Sequence, residues 1–166
     1  MEKERILILD KERIDRKLQR MAYQLWEYNS NEQAVTLVGI EGSGIAVAKN
    51  LADRLKVISP LNVEVIAIKM NKKHPLKNEI NIEEDLNGKS VVLVDDVANS
   101  GKTLLYALKP LLVYELKKIL ITVLVDRKHK AFPISPDIVG HTVATTLQEH
   151  IEVEHTNNDI TAAYLQ

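Results

Sequence analysis

The stretch Val91-Val92-Leu93-Val94-Asp95-Asp96-Val97-Ala98-Asn99-Ser100-Gly101-Lys102-Thr103 changes character twice. Four apolar residues, three of them β-branched, end in two adjacent acids. A small, polar, glycine-containing turn follows, and then the helical pattern Thr103 to Leu108. A buried strand, a loop and a helix start suit these three compositions in turn. Backbone N–H groups of such a loop point outward and favour an anion, above all a phosphate. Two carboxylates just before that cradle would repel a bare phosphate. They suit the acceptance of hydrogen bonds from sugar hydroxyls, or a share in holding a metal ion. A ligand with a phosphate at one end and a diol at the other is a sugar phosphate. The bland alternative is a strand that ends in acids and turns into a helix, binding nothing.

Other apolar runs have the same build. Ala34 to Ile40, Val63 to Ile68 and Ile119 to Val125 read as strands, the last ending in Asp126-Arg127. Between them lie helical spacings. Ile14, Leu18, Met21, Ala22, Leu25 and Trp26 define one face of a helix from Ile14 to Tyr28, with Asp10 as its N-cap. A second helix covers Ile45 to Leu55, and a third runs from the Ser100 loop to about Tyr114. Pro110 falls inside that third pattern and should kink or shorten it. Arg5 to Leu9 is a short entry strand, and further short strands lie near Val139 and over Ile151 to Val153.

Continuous apolar strands alternating with helices predict an α/β fold, a parallel twisted sheet flanked by helices. Ligands of such sheets bind at the carboxyl ends of the strands. Three loops belong there: Glu41-Gly42-Ser43-Gly44, Asp95 to Thr103, and the turn from Asp126 onward. The 166 residues make one domain, 1–166, with room for a real core. A net charge of −1 leaves no global pull toward nucleic acid or anionic lipid. Without cysteine there is no disulfide or thiolate chemistry, which fits a reducing cytoplasm. Met1-Glu2-Lys3-Glu4-Arg5 is charged and leads into a short apolar run, unlike a signal peptide or a membrane span.

Ser100-Gly101-Lys102-Thr103 looks like the tail of a nucleoside-triphosphate P-loop. That motif needs a glycine five residues before Gly101, where this chain has Asp96. The hydrophobic run, paired acids, small residues and Ser-Gly-x-Thr ending instead resemble the phosphoribosyl-pyrophosphate signature of type I phosphoribosyltransferases. Leu124 to Lys130, Phe132-Pro133-Ile134, Asp137 and Val139-Gly140 resemble the base-side segment of the PyrR family. Members of that family attenuate pyrimidine operons and act as uracil phosphoribosyltransferases. Leu37 to Ile40 and the helix from Ile14 to Asn29 are similar as well.

The resemblance implies a type I phosphoribosyltransferase fold with a small C-terminal hood segment. It implies that Asp95 and Asp96 bond the ribose hydroxyls, with Asp95 reaching Mg²⁺ through water. It implies that Val97, Ala98, Asn99, Ser100, Gly101, Lys102 and Thr103 hold the 5-phosphate. Glu41, Gly42, Ser43 and Gly44 become the pyrophosphate loop, which in such proteins often carries a strained non-proline cis peptide. Asp126 and Arg127 approach the base. Lys69 to Leu86 is the lid, and Lys69, Lys72, Lys73 and Lys77 are its candidates for meeting pyrophosphate. The implied reaction is Mg²⁺-dependent transfer of ribose 5-phosphate from phosphoribosyl pyrophosphate to a nucleobase, uracil first, with UMP as product. Two alternatives stand beside it: a nucleotide-sensing, RNA-binding regulator of pyrimidine genes, and a purine or xanthine transferase. A homodimer or homotetramer is implied, with Trp26 a candidate interface residue.

The chain departs from its relatives at several points. Its lid is shorter and lacks their Tyr-Arg-Asp-Asp-Leu stretch, and Glu-Gly-Ser-Gly replaces Lys-Thr-Arg-Gly in the pyrophosphate turn. Arg16, Lys17 and Arg20 remain on the first helix, but Tyr23, Tyr28, Ser135 and His141 replace basic or imidazole side chains.

Overall fold

The computed structural model describes residues 4–146 and 148–166. The N-terminal charged run of the sequence lies partly outside them. Eight strands and three helices follow the chain as β1 (Ile6–Leu9), α1 (Lys11–Tyr28), β2 (Ala34–Ile40), α2 (Ser43–Ile58), β3 (Asn62–Ile68), β4 (Ser90–Ala98), α3 (Lys102–Ala107), β5 (Lys118–Arg127), β6 (Ile138–Val143), β7 (Ile151–Thr156) and β8 (Asp159–Leu165). Five strands form a parallel sheet in the order β3-β2-β4-β5-β6. The expected α/β architecture is therefore present, with β4 at the centre of the sheet.

The continuous apolar runs are explained by burial on both faces. Val92 and Val94 join one core with α1 and α2, while Val91 and Leu93 join the other with α3 and Leu86. All four side chains are fully buried. Each contributes about 1.5–3 kcal/mol by leaving water, so the strand that carries the acids is the best-anchored element in the sheet. The start of β4 is also pinned. Ser90 Oγ donates to Asn29 Oδ1 at 2.6 Å, and Asn29 closes α1 by donating to Leu25 O.

The predicted N-cap holds: Asp10 Oδ1 accepts the Arg13 N–H at 2.8 Å. Two expectations need correction, and one strand pairs in a way the sequence had left open. The third helix ends at Ala107, not near Tyr114. Pro110 has no N–H for the next helical bond, and three-residue turns take over from Leu108. The entry strand β1 does not extend the main sheet. It pairs antiparallel with β8, and β7 completes a separate three-stranded sheet. The hood is thus built from both chain ends, and β8, with its turn at Asn157 and Asn158, was not foreseen. Finally, no cis peptide occurs among the described residues. The turn before α2 is made by Gly42 at φ +95° instead, a region that glycine enters without penalty.

Candidate functional site

The sharp end of β4 sets the geometry. Strand burial forces Asp95 inward, and Asp96 beside it stays partly accessible. Asp95 Oδ1 accepts the Asp96 N–H at 2.9 Å. Behind it stands Gly44 in the first turn of α2, where a Cβ would lie 2.8 Å from that same oxygen. The carboxylate fits only because residue 44 has no side chain.

Gly101 takes the left-handed conformation, φ +85°, and caps α3. A Cβ there would come within 2.6 Å of Ile134 Cγ2. The segment after β5 packs directly on this loop: Ala131 and Phe132 both donate to Ser100 O, at 3.1 and 3.0 Å. Lys102 N–H donates to Ser100 Oγ. Asn99 exchanges side-chain bonds with the backbone of Ile151, both 3.2 Å, and so ties the loop to the hood. The loop is held from two sides, and the first turn of α3 carries N–H groups without helical partners.

These elements surround a cavity of about 370 Å³. Ser43, Asp95, Asp96, Val97, Ala98, Asn99, Ser100, Gly101 and Thr103 line it, together with Lys72 and Leu104. Its fourth wall is His150 to Val153 at the start of β7. Sequence reading missed that wall, because short hood strands carry no glycine signature and no paired acids. Of the polar residues in this wall, Glu152 accepts from Arg5 and Gln166, and His150 is exposed.

The remaining candidates lie around the cavity. Glu41 is at the rim, 3.5 Å from Lys69 Nζ, and Gly42 is the exposed turn residue before α2. Lys102 points toward the lid and donates to Lys73 O at 3.3 Å. Lys73 and Lys77 flank a separate surface hollow with His74. Asp126 Oδ1 is buried and meets Lys130 Nζ at 2.8 Å as an ion pair. Arg127 donates to His129 O and Glu149 O and fastens the end of β5 to the segment before β7. Neither Asp126 nor Arg127 reaches the cavity lining.

Burial holds the Asp95 carboxyl well above the ordinary aspartate range, and the charge of Asp96 pushes the same way. Lys72 Nζ, 3.8 Å from Asp95 Oδ1, pulls in the opposite direction. Among the described residues no group of three or more His, Asp or Glu could hold a metal alone. A Mg²⁺ brought by a ligand's phosphates, needing one or two carboxylates, suits Asp95 and Asp96. No helix among the described residues is long and apolar enough to cross a membrane.

Residues 7–156 match the profile of the phosphoribosyl transferase domain. A protein of Ligilactobacillus salivarius called bifunctional protein PyrR is 36% identical over 158 residues, covering 88% of this chain and 89% of its own. A protein of that name from Bacillus cereus is 33% identical over 168 residues, covering 94% and 93%. Among solved structures, a hypoxanthine-guanine phosphoribosyltransferase from Bacillus anthracis superposes with a TM-score of 0.76 at 17% identity, over 95% of this chain and 96% of that one. A hypoxanthine phosphoribosyltransferase of Trypanosoma cruzi gives a TM-score of 0.76 at 14% identity, over 94% of each chain. At such identities these two show the shared fold.

Proposed function

Because this chain belongs to the phosphoribosyl transferase domain family, a family of phosphoribosyltransferases, we propose that it transfers ribose 5-phosphate from phosphoribosyl pyrophosphate to uracil, forming UMP. One observation carries the reading: paired acids, a small-residue phosphate loop, Ser43 and a lid lysine line a single cavity. Asp96, the accessible acid, accepts from the ribose hydroxyls. Asp95 stands behind it and reaches metal only through water. The loop from Val97 to Thr103 receives the 5-phosphate. Ser43 and the Glu41–Gly44 turn face the pyrophosphate. A ring nitrogen of the base bonds to the anomeric carbon as the bond to pyrophosphate oxygen breaks. Bound Mg²⁺ would supply neutralising charge to the leaving group. Residues 69–86 cover the site and exclude water. Asp126 and Arg127 act on the base through the backbone they hold in place.

One domain suffices, since the profile spans most of the chain and β1 closes the hood with β8. Exposed Leu76, Leu112 and Val113 favour a homodimer or homotetramer, which sedimentation velocity would read. Trp26 is packed against the core instead. A cytoplasmic location accords with the lack of cysteine. The decisive assay supplies phosphoribosyl pyrophosphate, Mg²⁺ and a panel of bases including uracil, hypoxanthine and xanthine. Pyrophosphate release with uracil supports the proposal. Release with a purine alone reassigns the base, and no release from folded protein rejects catalysis.

A second reading, RNA-binding regulation of pyrimidine genes, is favoured by a cleft of about 450 Å³ lined by Arg13, Arg16, Lys17, Arg20 and His141. Tyr23 and Tyr28, half exposed on α1, offer rings for stacking. Against it, Arg20 is spent on Val139 O and Gly140 O, and Arg16 pairs with Glu12. Burial, with Lys17 and Arg13, lowers the His141 pKa. A gel shift with pyrimidine leader RNA over a salt series, with and without UMP, tests it. Binding no tighter than to unrelated RNA rejects it.

A further inference from the structure

The acid in the pyrophosphate turn is an oddity, because Glu41 puts a negative charge where an anion should bind. Its surroundings give it a use. Three contacts fasten the lid to three different elements around the cavity. Lys69 Nζ lies 3.5 Å from Glu41 Oε1 on the turn before α2. Lys72 Nζ lies 3.8 Å from Asp95 Oδ1 at the end of β4. Lys102 at the start of α3 donates to Lys73 O at 3.3 Å. Between them the lid backbone is shaped by Asn71, whose Oδ1 accepts from the Lys73 and His74 N–H groups at 3.1 and 2.9 Å. That turn presents Lys72 to the cavity, which it lines.

We propose that Glu41 and Asp95 serve as internal counter-anions for the lid, holding Lys69 and Lys72 over the mouth until a pyrophosphate-bearing ligand takes the two lysines over. The inference rests on the phosphoribosyl pyrophosphate reading and names how that site is gated. The Glu-Gly-Ser-Gly turn lacks a basic residue, so positive charge for the pyrophosphate must come from elsewhere. Lid lysines parked at the rim supply it. Glu41 is then a positioning residue and also a competitor. It stores Lys69 near the site, and the ligand must displace it. The two pairs differ in strength. Lys69 is 83% exposed, so its bond to Glu41 is weak and readily exchanged. Asp95 is 1% exposed, so losing Lys72 costs more there unless metal or ligand charge replaces it.

The test is calorimetric titration of the full chain in Mg²⁺ with two ligands. Phosphoribosyl pyrophosphate carries the pyrophosphate, and UMP lacks it. Glu41→Gln frees Lys69 and should tighten phosphoribosyl pyrophosphate roughly two- to five-fold, the worth of an exposed ion pair, with UMP unchanged. Lys69→Met should weaken the same ligand by a similar factor, and the double variant should resemble Lys69→Met. Glu41→Asp should restore the wild-type affinity. Unchanged or weaker binding of phosphoribosyl pyrophosphate by Glu41→Gln, with UMP still bound, overturns the counter-anion role alone. Failure of the wild-type protein to bind either ligand overturns the parent reading and this inference with it.

Discussion

The two halves of the cavity are held by different physics. The half proposed for ribose phosphate rests on β4, whose four apolar residues before the acids are fully buried, and on a loop bonded to both the β5 segment and the hood. The half proposed for pyrophosphate is an exposed turn and the irregular segment 69–86, fastened by lysine contacts. Buried apolar area and satisfied hydrogen bonds fix the first geometry in advance. An exposed ion pair, Lys69 with Glu41, lets the second change partners, as a site that admits substrate and then sheds water would require. One half is preorganised and the other is exchangeable.

The largest blow to that contrast should come from Gly101→Val. A β-branched residue at φ +85° with Ile134 2.6 Å from its Cβ must disturb the loop and the segment packed on it. We expect a stability loss of about 2–4 kcal/mol in urea titration, together with loss of nucleotide binding. A full-strength loop in this variant would refute the preorganised half. Asp96→Asn comes next. It should leave the fold intact and weaken UMP by about 1.5–3 kcal/mol, the value of a charged hydrogen bond, measured by calorimetry. Equal affinity would remove Asp96 from the diol.

Asp95→Asn separates binding from stability. The folded protein binds the Asp95 proton more tightly than the unfolded chain does. Its ionisation therefore costs nothing below the ordinary aspartate range. The cost grows as pH rises from that range toward the raised value, and persists above it. Melting curves should show the variant equal to wild type in acid and more stable by a few degrees at neutral pH. A variant less stable at neutral pH would show that the Lys72 contact outweighs burial. The smallest effect belongs to Lys69→Met, the exposed lysine beside Glu41, which should change folding stability by no more than about 0.5 kcal/mol while making phosphoribosyl pyrophosphate binding weaker and less salt-sensitive.

What could be read in advance follows the same division. β4, its two acids and the glycine loop were legible because burial and a left-handed turn restrict residue choice tightly. Asp10 was legible as a cap because a helix N-terminus favours a short side-chain acceptor. Two strands of the hood, Arg5 to Leu9 and Ile151 to Val153, were legible as apolar runs, but β8 and its pairing with β1 were not, since that pairing joins distant parts of the chain and leaves only weak alternation in Ile160, Ala162 and Tyr164. His150 entered the site unseen with it. The end of α3 was half legible: Pro110 announced a break, but the turn bonds from Leu108 placed it earlier. Asp126 and Arg127 looked like ligand contacts by position, and their partners Lys130, His129 and Glu149 were decided by loop packing.

A crystal soaked with UMP tests the central claim most directly. Phosphate oxygens should lie within hydrogen-bond distance of the backbone N–H groups between Asn99 and Thr103, and ribose hydroxyls on Asp96. UMP seated in the Arg13–His141 cleft, with the β4 cavity empty, would contradict it.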